Sequence, residues 1–322
     1  MKGFGYHDLN QTMDVVDYIA AINIFGQRRA SASRPITDFI QPLQIHEDVW
    51  IGPLQGDLGV AILNACEPPG ENYRRGRDYY VPYAFWRIYK DLAATSRFDF
   101  DPDNRLFAAV ALSRLVHPTT IGTYYSARVR MDNCRRIEPL RKPTRLNPWA
   151  FPIDTDQDWL IPDDIPGLSK LVKSYFSATL PLRIKRALIC LETSFLNYYV
   201  EYSWPLIITG FESLVRIKDE KIAGRKGKRV SVNSKRVFVD RLSALGMIDP
   251  VLALSRNDLE EIYDLRSDIV HGSGFPDLDD ERKRLFRCAR GLLRSILRKA
   301  LLEPGFAAIF AKDEDIRRFL PL

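Results

Sequence analysis

From about Leu180 onward, apolar residues recur at the three- and four-residue spacing that is typical of amphipathic helices. The pattern predicts five helices with short connections, which would pack as an antiparallel bundle. Their expected extents are residues 182–202, 206–215 after the interruption at Pro205, 235–245 before Gly246, 259–271, and 279–302 before Pro304. We therefore expect a helical C-terminal domain over residues 179–322.

One residue breaks this pattern, because Arg266 lies within the apolar face of the fourth predicted helix. That face is formed by Leu259, Ile262, Tyr263, Leu265, Ile269 and Val270, and the opposite face by Glu260, Glu261, Asp264 and Asp268. Burial of an unpaired guanidinium costs much free energy. A chain that places one there supplies an anion or has a polar cleft at that point, so Arg266 is a candidate site residue.

His271 is the second candidate. On a regular helix its side chain would point about 140° away from that of Arg266. However, Gly272-Ser273-Gly274 follows at once, a composition that is typical of helix ends, so we expect the backbone to leave the helix there and re-aim His271. Arg266 and His271 could then line one cleft. Without Arg266, the favoured interpretation of His271 would be a cap of the last helical carbonyls.

The pattern before residue 179 is weaker and mixed. It predicts helices over residues 10–25, 83–94 and 105–116, strands at 49–52, 59–63 and within 121–136, and a Pro-rich connector over 147–167. The basic segment from 135 to 145 is interpreted as a solvated loop, with contact to a phosphate backbone as the alternative. Residues 1–178 are therefore expected to form a separate domain of unknown role, either mixed α+β or mostly helical. The fold class predicted for the whole chain is mainly α.

Charge and cysteine usage narrow the class of protein. The net charge is +6, and residues from Thr179 onward hold 26 Lys and Arg against 20 Asp and Glu, which accounts for the whole excess. This asymmetry suits an anionic polymer as partner, or arises by chance on a solvated surface. The four cysteines have no C-x-x-C spacing, which argues against a zinc module or a disulfide framework and favours a reducing cytoplasm.

No cofactor, metal or membrane segment is predicted. His7, His46 and His117 have no partners at the spacing of metal ligands or a catalytic triad. The alternation of Asp99, Asp101 and Asp103 lacks the glycine and closing glutamate of a calcium loop, so it is interpreted as helix capping. No apolar run approaches the roughly 20 residues that span a bilayer, and no leader is evident, so we expect a soluble cytoplasmic protein.

Residues Arg266 to His271 form the pattern R-x4-H, which resembles the catalytic motif of the HEPN superfamily, closest to the ApeA-like HEPN domains. The layout is similar as well. A helix with Phe211-Glu212-Ser213-Leu214, a helix with Arg241-Leu242, the R-x4-H helix and a long last helix come in the order found in that family. The resemblance covers about residues 180–303. It implies a compact helical domain, often dimeric, and many members are metal-independent endoribonucleases of toxin and antiphage systems.

Such an enzyme needs no metal, because the 2′-hydroxyl of the RNA attacks the adjacent phosphorus and the protein moves protons and stabilises charge. By resemblance, His271 would transfer protons near neutral pH, and Arg266 would bind the phosphate oxygens. The products would be a 2′,3′-cyclic phosphate and a 5′-hydroxyl. Ser267 is the polar residue after the arginine in the motif and is counted with the candidate catalytic residues, and Glu212 either pairs with Arg266 or is a solvated carboxylate. One histidine cannot easily perform both proton transfers, so a homodimer or higher oligomer is expected.

Two basic features are predicted to contact RNA, although a solvated surface would explain either one. The first is a Gly-interrupted segment that includes Lys221, Arg225, Lys226, Lys228 and Arg229. The second is a row on the last helix formed by Arg287, Arg290, Arg294 and Arg298, opposite an apolar face. No aromatic residues interleave with the charges of the first feature, so base stacking is not expected there.

Ser267 keeps an alternative open, since family members most often carry Asn, Asp or His at that position. The alternative is a non-catalytic HEPN-like module that binds RNA, a nucleotide or a partner helix. A structural scaffold is a third and weaker possibility. The sequence does not identify the RNA target, an activation signal or a regulatory partner.

Overall fold

The structure is a computed structural model, and it describes residues 14–23, 42–52, 84–90, 105–116, 121–131, 137–145, 160–177, 180–196, 200–223, 229–271 and 279–322. These residues are mainly helical, as predicted. The chain divides into two compact units. One contains a sheet and residues of the first helix up to Ala109, and the other contains the rest of that helix and the helices from Pro166 onward. The domain boundary near residue 178 stays a prediction.

The sheet has six strands, and all of their pairings are antiparallel. The strands are β1 (Asp14–Asn23), β2 (Leu43–His46), β3 (Val49–Gly52), β4 (Ala84–Lys90), β5 (Ile121–Met131) and β6 (Ile137–Arg145), in the order β2-β3-β4-β1-β5-β6. Trp50 and Trp86 pair across β3 and β4 and stack, with ring centroids 4.8 Å apart. The described N-terminal residues are thus mixed α and β.

Two helices predicted in this region are wrong. Residues 10–25 were expected to be helical, but β1 runs from Asp14 to Asn23. Residues 83–94 were expected to be helical, but they contain β4. Both segments are rich in β-branched or aromatic residues, and β1 gains backbone partners on both sides, from β4 and β5, which outweighs a helical spacing of apolar residues. The predicted basic loop over 135–145 is also wrong, because it contains β6.

The remaining N-terminal predictions have different outcomes. The strand at 49–52 is confirmed by β3, and the strand within 121–136 by β5. The helix over 105–116 is confirmed as α1 (Arg105–Val116), whose residues from Leu106 to Leu115 are all buried. Arg105 is held by Glu47 at 2.9 Å and Asp48 at 3.3 Å, in the turn between β2 and β3. Residues 59–63 lie outside the described part of the chain.

The described residues of the helical unit form eight further helices. They are α2 (Ile165–Phe176), α3 (Leu182–Leu196), α4 (Val200–Val215), α5 (Ser234–Ile248), α6 (Arg256–His271), α7 (Asp280–Leu302), α8 (Pro304–Ala307) and α9 (Asp313–Phe319). A short hairpin of β7 (Lys221–Ala223) and β8 (Arg229–Ser231) precedes α5. The predicted helices over 235–245, 259–271 and 279–302 are confirmed by α5, α6 and α7.

Three details of the prediction are corrected. Pro205 does not separate two helices, because α4 begins at Val200 and includes it. The buried side chains of Trp204, Ile207 and Ile208 anchor the helix on both sides of the proline. Gly246 does not end α5, which continues to Ile248. The connector expected over 147–167 already contains the start of α2 at Ile165.

The core of this unit forms around α7, which contacts α3, α4 and α6. Phe286, Leu293, Ile296 and Leu297 of α7 are fully buried. Gly210 of α4 allows close packing, because a Cβ added there would lie 2.8 Å from Cδ2 of Leu293. The arrangement buries the apolar faces of α4 and α6.

Arg241 links three parts of the helical unit from inside. Its guanidinium donates to the carbonyl of Val215 at 2.6 Å, to the carbonyl of Leu320 at 3.1 Å, and to the carboxylate of Glu220 at 2.7 Å. The residue is only 1% exposed. A buried guanidinium with this many acceptors is a structural residue. It ties α5 to the end of α4 and to the C-terminal segment.

Candidate functional site

Arg266 is half-buried on α6, beside Ile262 and Leu265, which are buried. Its Nε is buried and has no hydrogen-bond partner, and its guanidinium forms no ion pair among the described residues. The apolar face is narrower than expected, since Val270 is 49% exposed. Arg266 is therefore a cation with unused donors at the edge of the core, the situation in which an anionic ligand is favourable.

Tyr263, one helical turn before Arg266, connects this arginine to α4. Burial raises the pKa of Tyr263 above its ordinary value, and the carboxylate of Glu212 raises that pKa further. The charge of Arg266, a hydrogen bond with Ser234 and the charge of Arg216 lower the pKa of the same hydroxyl. These effects come from α4, α5 and α6, and from Arg216 directly after α4, and they act on one hydroxyl. We therefore group Glu212, Tyr263, Arg266, Ser234 and Arg216 under the name α4–α6 cluster.

The cluster has a rigid apolar support. The ring of Tyr263 packs on Phe238 of α5, with centroids 5.2 Å apart, and Phe238 packs edge-on against Phe211 of α4 at 5.6 Å. Trp204 of α4 donates a hydrogen bond to the carbonyl of Ile262 at 3.1 Å. These contacts fix the positions of α4, α5 and α6 relative to one another, so the residues of the α4–α6 cluster on these helices are preorganised.

The structure brings two of the four predicted catalytic residues, Glu212 and Arg266, into this cluster. Ser267 is half-buried next to Arg266. Sequence reasoning missed Tyr263, Ser234 and Arg216. Tyr263 was counted as an apolar position. Its spacing of three residues from Arg266 could have indicated that the two side chains are neighbours on the helix. No sequence signal links Ser234 to the site, because it comes from another helix.

His271 is the last residue of α6, so the helix extends through the whole R-x4-H motif. The backbone up to His271 thus keeps the helical phase, which separates positions 266 and 271 by about 140° around the axis. The side chain of His271 and residues 272–278 lie outside the described part of the chain. The expected re-aiming of His271 by Gly272 stays a prediction.

The arginine row on α7 is not evenly exposed. Arg287 and Arg298 are exposed and Arg294 is half-buried, but Arg290 is only 7% exposed. The guanidinium carbon of Arg290 lies 4.6 Å from the centroid of the Phe195 ring and 4.4 Å from that of Phe286. Arg290 is thus packed on aromatic rings inside the unit, where cation–π contacts compensate part of its burial. RNA contact by the row stays a prediction.

Two residues of the first basic feature, the Gly-interrupted segment, lie on the β7–β8 hairpin. Lys221 is exposed on β7, and Arg229 stands on β8 opposite Ala223. Arg225, Lys226 and Lys228 lie outside the described residues. Asn233 caps the start of α5 by accepting hydrogen bonds from the backbone N–H groups of Lys235 and Arg236. The hairpin ends at Ser231, three residues before Ser234 of the α4–α6 cluster.

Two further observations bear on the type of site. Among the described residues, no group of three or more His, Cys, Asp or Glu side chains is placed to hold a metal ion. No helix in the same part of the chain combines the length and apolar character needed to cross a membrane.

Comparisons of the chain with protein-family models, with curated proteins and with solved structures find no match.

Proposed function

We propose that this protein is a metal-independent endoribonuclease of the HEPN type, acting as a toxin or antiphage effector. The observation that carries the proposal is Arg266, whose buried Nε has no hydrogen-bond partner among the described residues and whose charge acts at the same hydroxyl as that of Glu212. A phosphodiester would supply the missing anion. The R-x4-H pattern and the excess positive charge from Thr179 onward agree with an RNA substrate.

In the proposed mechanism, the planar fork of Arg266 binds the non-bridging oxygens of the scissile phosphate. It stabilises the negative charge that grows as the 2′-hydroxyl attacks phosphorus and the bond to the 5′ oxygen breaks. His271 accepts the proton of the 2′-hydroxyl, and His271 of a second protomer donates a proton to the leaving 5′ oxygen. The products carry a 2′,3′-cyclic phosphate and a 5′-hydroxyl.

The test uses the purified full chain with labelled RNA in buffer that contains EDTA. We expect cleavage by the native protein and a loss of at least about 100-fold in Arg266→Ala and in His271→Ala, the order of magnitude for removal of a charge-stabilising donor or a general acid–base. Arg256→Ala is the matched control, because Arg256 lies on the same helix, is exposed, and pairs with Asp240 and Glu260. Equal cleavage by native protein and His271→Ala would overturn the proposal.

The alternative is a non-catalytic module that binds RNA or a nucleotide, and one observation favours it. The helix α6 is continuous through His271, so the two motif residues differ by about 140° in helical phase. This alternative predicts that RNA binding survives in His271→Ala while native protein yields no cyclic-phosphate product. Filter binding and product analysis on the same samples separate the two functions.

A further inference from the structure

The α7 helix has an open gap among its arginines. A Cβ added at Gly291 would meet no other atom within 4 Å, so there is open space above the backbone at this point. Arg287, Arg294 and Arg298 all start from within about 60° of Gly291 around the helix axis. The gap is therefore bordered by cationic side chains on one face.

Arg294 is the residue that makes this gap more than a basic surface. It is half-buried, and its Nε is buried without a hydrogen-bond partner. Burial, with a smaller effect from the charge of Arg298, lowers the pKa of Arg294 to about 10. The guanidinium is still protonated at neutral pH. A charge is thus held in a poorly solvated place without a counter-ion among the described residues.

The cations nearer the two ends of α7 are compensated in a different way. Arg284 pairs with Asp258 at 2.5 Å and with Glu281 at 2.6 Å. Lys299 pairs with Asp249, and its Nζ lies 3.7 Å from Glu303. Neither Arg294 nor Arg298 forms an ion pair in the part of the chain that the structure describes. The uncompensated charge is therefore confined to the turns next to Gly291.

Side-chain direction brings this charge over the gap. Side chains on a helix lean toward its N-terminus, so a residue covers the turn before its own Cα. Arg294 follows Gly291 by three residues and leans over its turn, and Arg298 leans over the turn of Arg294. Arg287 precedes Gly291 and leans away. The absence of a side chain at Gly291 leaves room between these guanidinium groups and the backbone.

We propose that Arg294 and Arg298 bind a phosphate group over Gly291. The planar fork of a guanidinium matches two oxygens of a tetrahedral oxyanion, and the anion would offset the cost of holding Arg294 uncompensated. This site lies on α7 and uses neither Arg266 nor His271. It excludes Arg290, whose guanidinium packs on Phe195 and Phe286.

The test compares the unfolding temperature of the full chain in inorganic phosphate and in chloride at equal ionic strength. Native protein is expected to gain a few degrees at saturating phosphate, because only the folded state has the site. Arg294→Met keeps the apolar stem but lacks the charge, so it should fold at least as stably and gain nothing from phosphate. Arg256→Met removes an exposed, ion-paired arginine and should keep the full gain.

A second variant tests the location of the site. Gly291→Leu fills the gap with a side chain whose Cβ meets no neighbour within 4 Å and that also favours the helix, so the protein should fold and lose the phosphate effect. The proposal is overturned by an equal gain in native protein and Arg294→Met, by no gain in native protein beyond that in chloride, or by a full gain in Gly291→Leu.

Two further titrations identify the source of the phosphate group. If it belongs to an RNA backbone, Arg294→Met should weaken RNA binding several-fold and lower the slope of log affinity against log salt by about one. If it belongs to a free nucleotide, ADP should stabilise native protein at lower concentration than inorganic phosphate, with RNA binding unchanged. If native protein shows the phosphate effect but cleaves no RNA, the proposed nuclease activity is overturned and the phosphate site is not.

Discussion

Two arginines of the helical unit show that bonding, rather than burial, distinguishes structural from functional candidates. Arg241 is buried, and its guanidinium has three acceptors. Arg266 is less buried, but its Nε has no hydrogen-bond partner among the described residues. A guanidinium whose donors are satisfied stabilises the fold, whereas one with unused donors gains from a ligand.

Removal of the Arg241 guanidinium should be strongly destabilising. Arg241→Met leaves the buried carboxylate of Glu220 and two carbonyls without their donor, so the free energy of unfolding should fall by about 3–5 kcal/mol. Arg236→Met is the matched control on the same helix, because Arg236 is exposed and pairs with Asp240, and it should cost about 0–1 kcal/mol. Urea unfolding measures both, and equal losses would contradict the structural role.

Tyr263 should make stability sensitive to alkaline pH. Its folded-state pKa is raised above the unfolded value, so the neutral form is favoured on folding. The resulting stability is complete below the unfolded pKa, near 10, and is lost as pH rises through the folded pKa. Tyr263→Phe keeps the ring contact with Phe238 but cannot ionise.

The measurement is urea unfolding of native protein and Tyr263→Phe at pH 9 and pH 11. Native protein should lose more stability than the variant between these values. The other tyrosines titrate in both proteins, so the difference between the two losses reports Tyr263 alone. A larger loss in the variant would show that the hydroxyl is not held in its neutral form.

At the scale of elements, the prediction was good where one side of a helix is buried. The predicted helices at α5, α6 and α7 are confirmed because their apolar residues face a core on one side and solvent on the other. The predictions failed at β1 and β4, where strand pairing decides the conformation. The spacing of Val15, Ile19 and Ile22 fits a helix, but it cannot report that two partner strands are present.

Two glycines in neighbouring helices should respond in opposite ways to one substitution. Gly210→Ala places a Cβ 2.8 Å from Leu293 and 3.4 Å from Cys190, so it should cost about 1–3 kcal/mol through overpacking. Gly291→Ala meets nothing within 4 Å and should stabilise by up to about 1 kcal/mol, since alanine favours the helix. Thermal unfolding compares the two, and a stabilising shift in both would show that α4 and α7 do not approach closely at Gly210.

At the scale of the whole molecule, the proposed mechanism depends on two protomers. If both copies of His271 serve one reaction, mixing native protein with His271→Ala and allowing subunits to exchange should reduce activity as the square of the native fraction. Independent protomers would give a linear decrease. Cleavage rates across a series of mixing ratios distinguish these outcomes, and light scattering on the same samples confirms that the assembly is unchanged.

The sequence by itself determined the main features of the C-terminal half: its helical character, the bounds of α7 and the position of Arg266 within an apolar face. These follow from local periodicity, which records the burial of each residue along one helix. Only the tertiary structure decided that residues 14–23 form a strand, that Arg290 is packed on Phe195 and Phe286, and that Tyr263 and Ser234 join Glu212 and Arg266. Each of these depends on groups far apart in the chain, so no local pattern contains it.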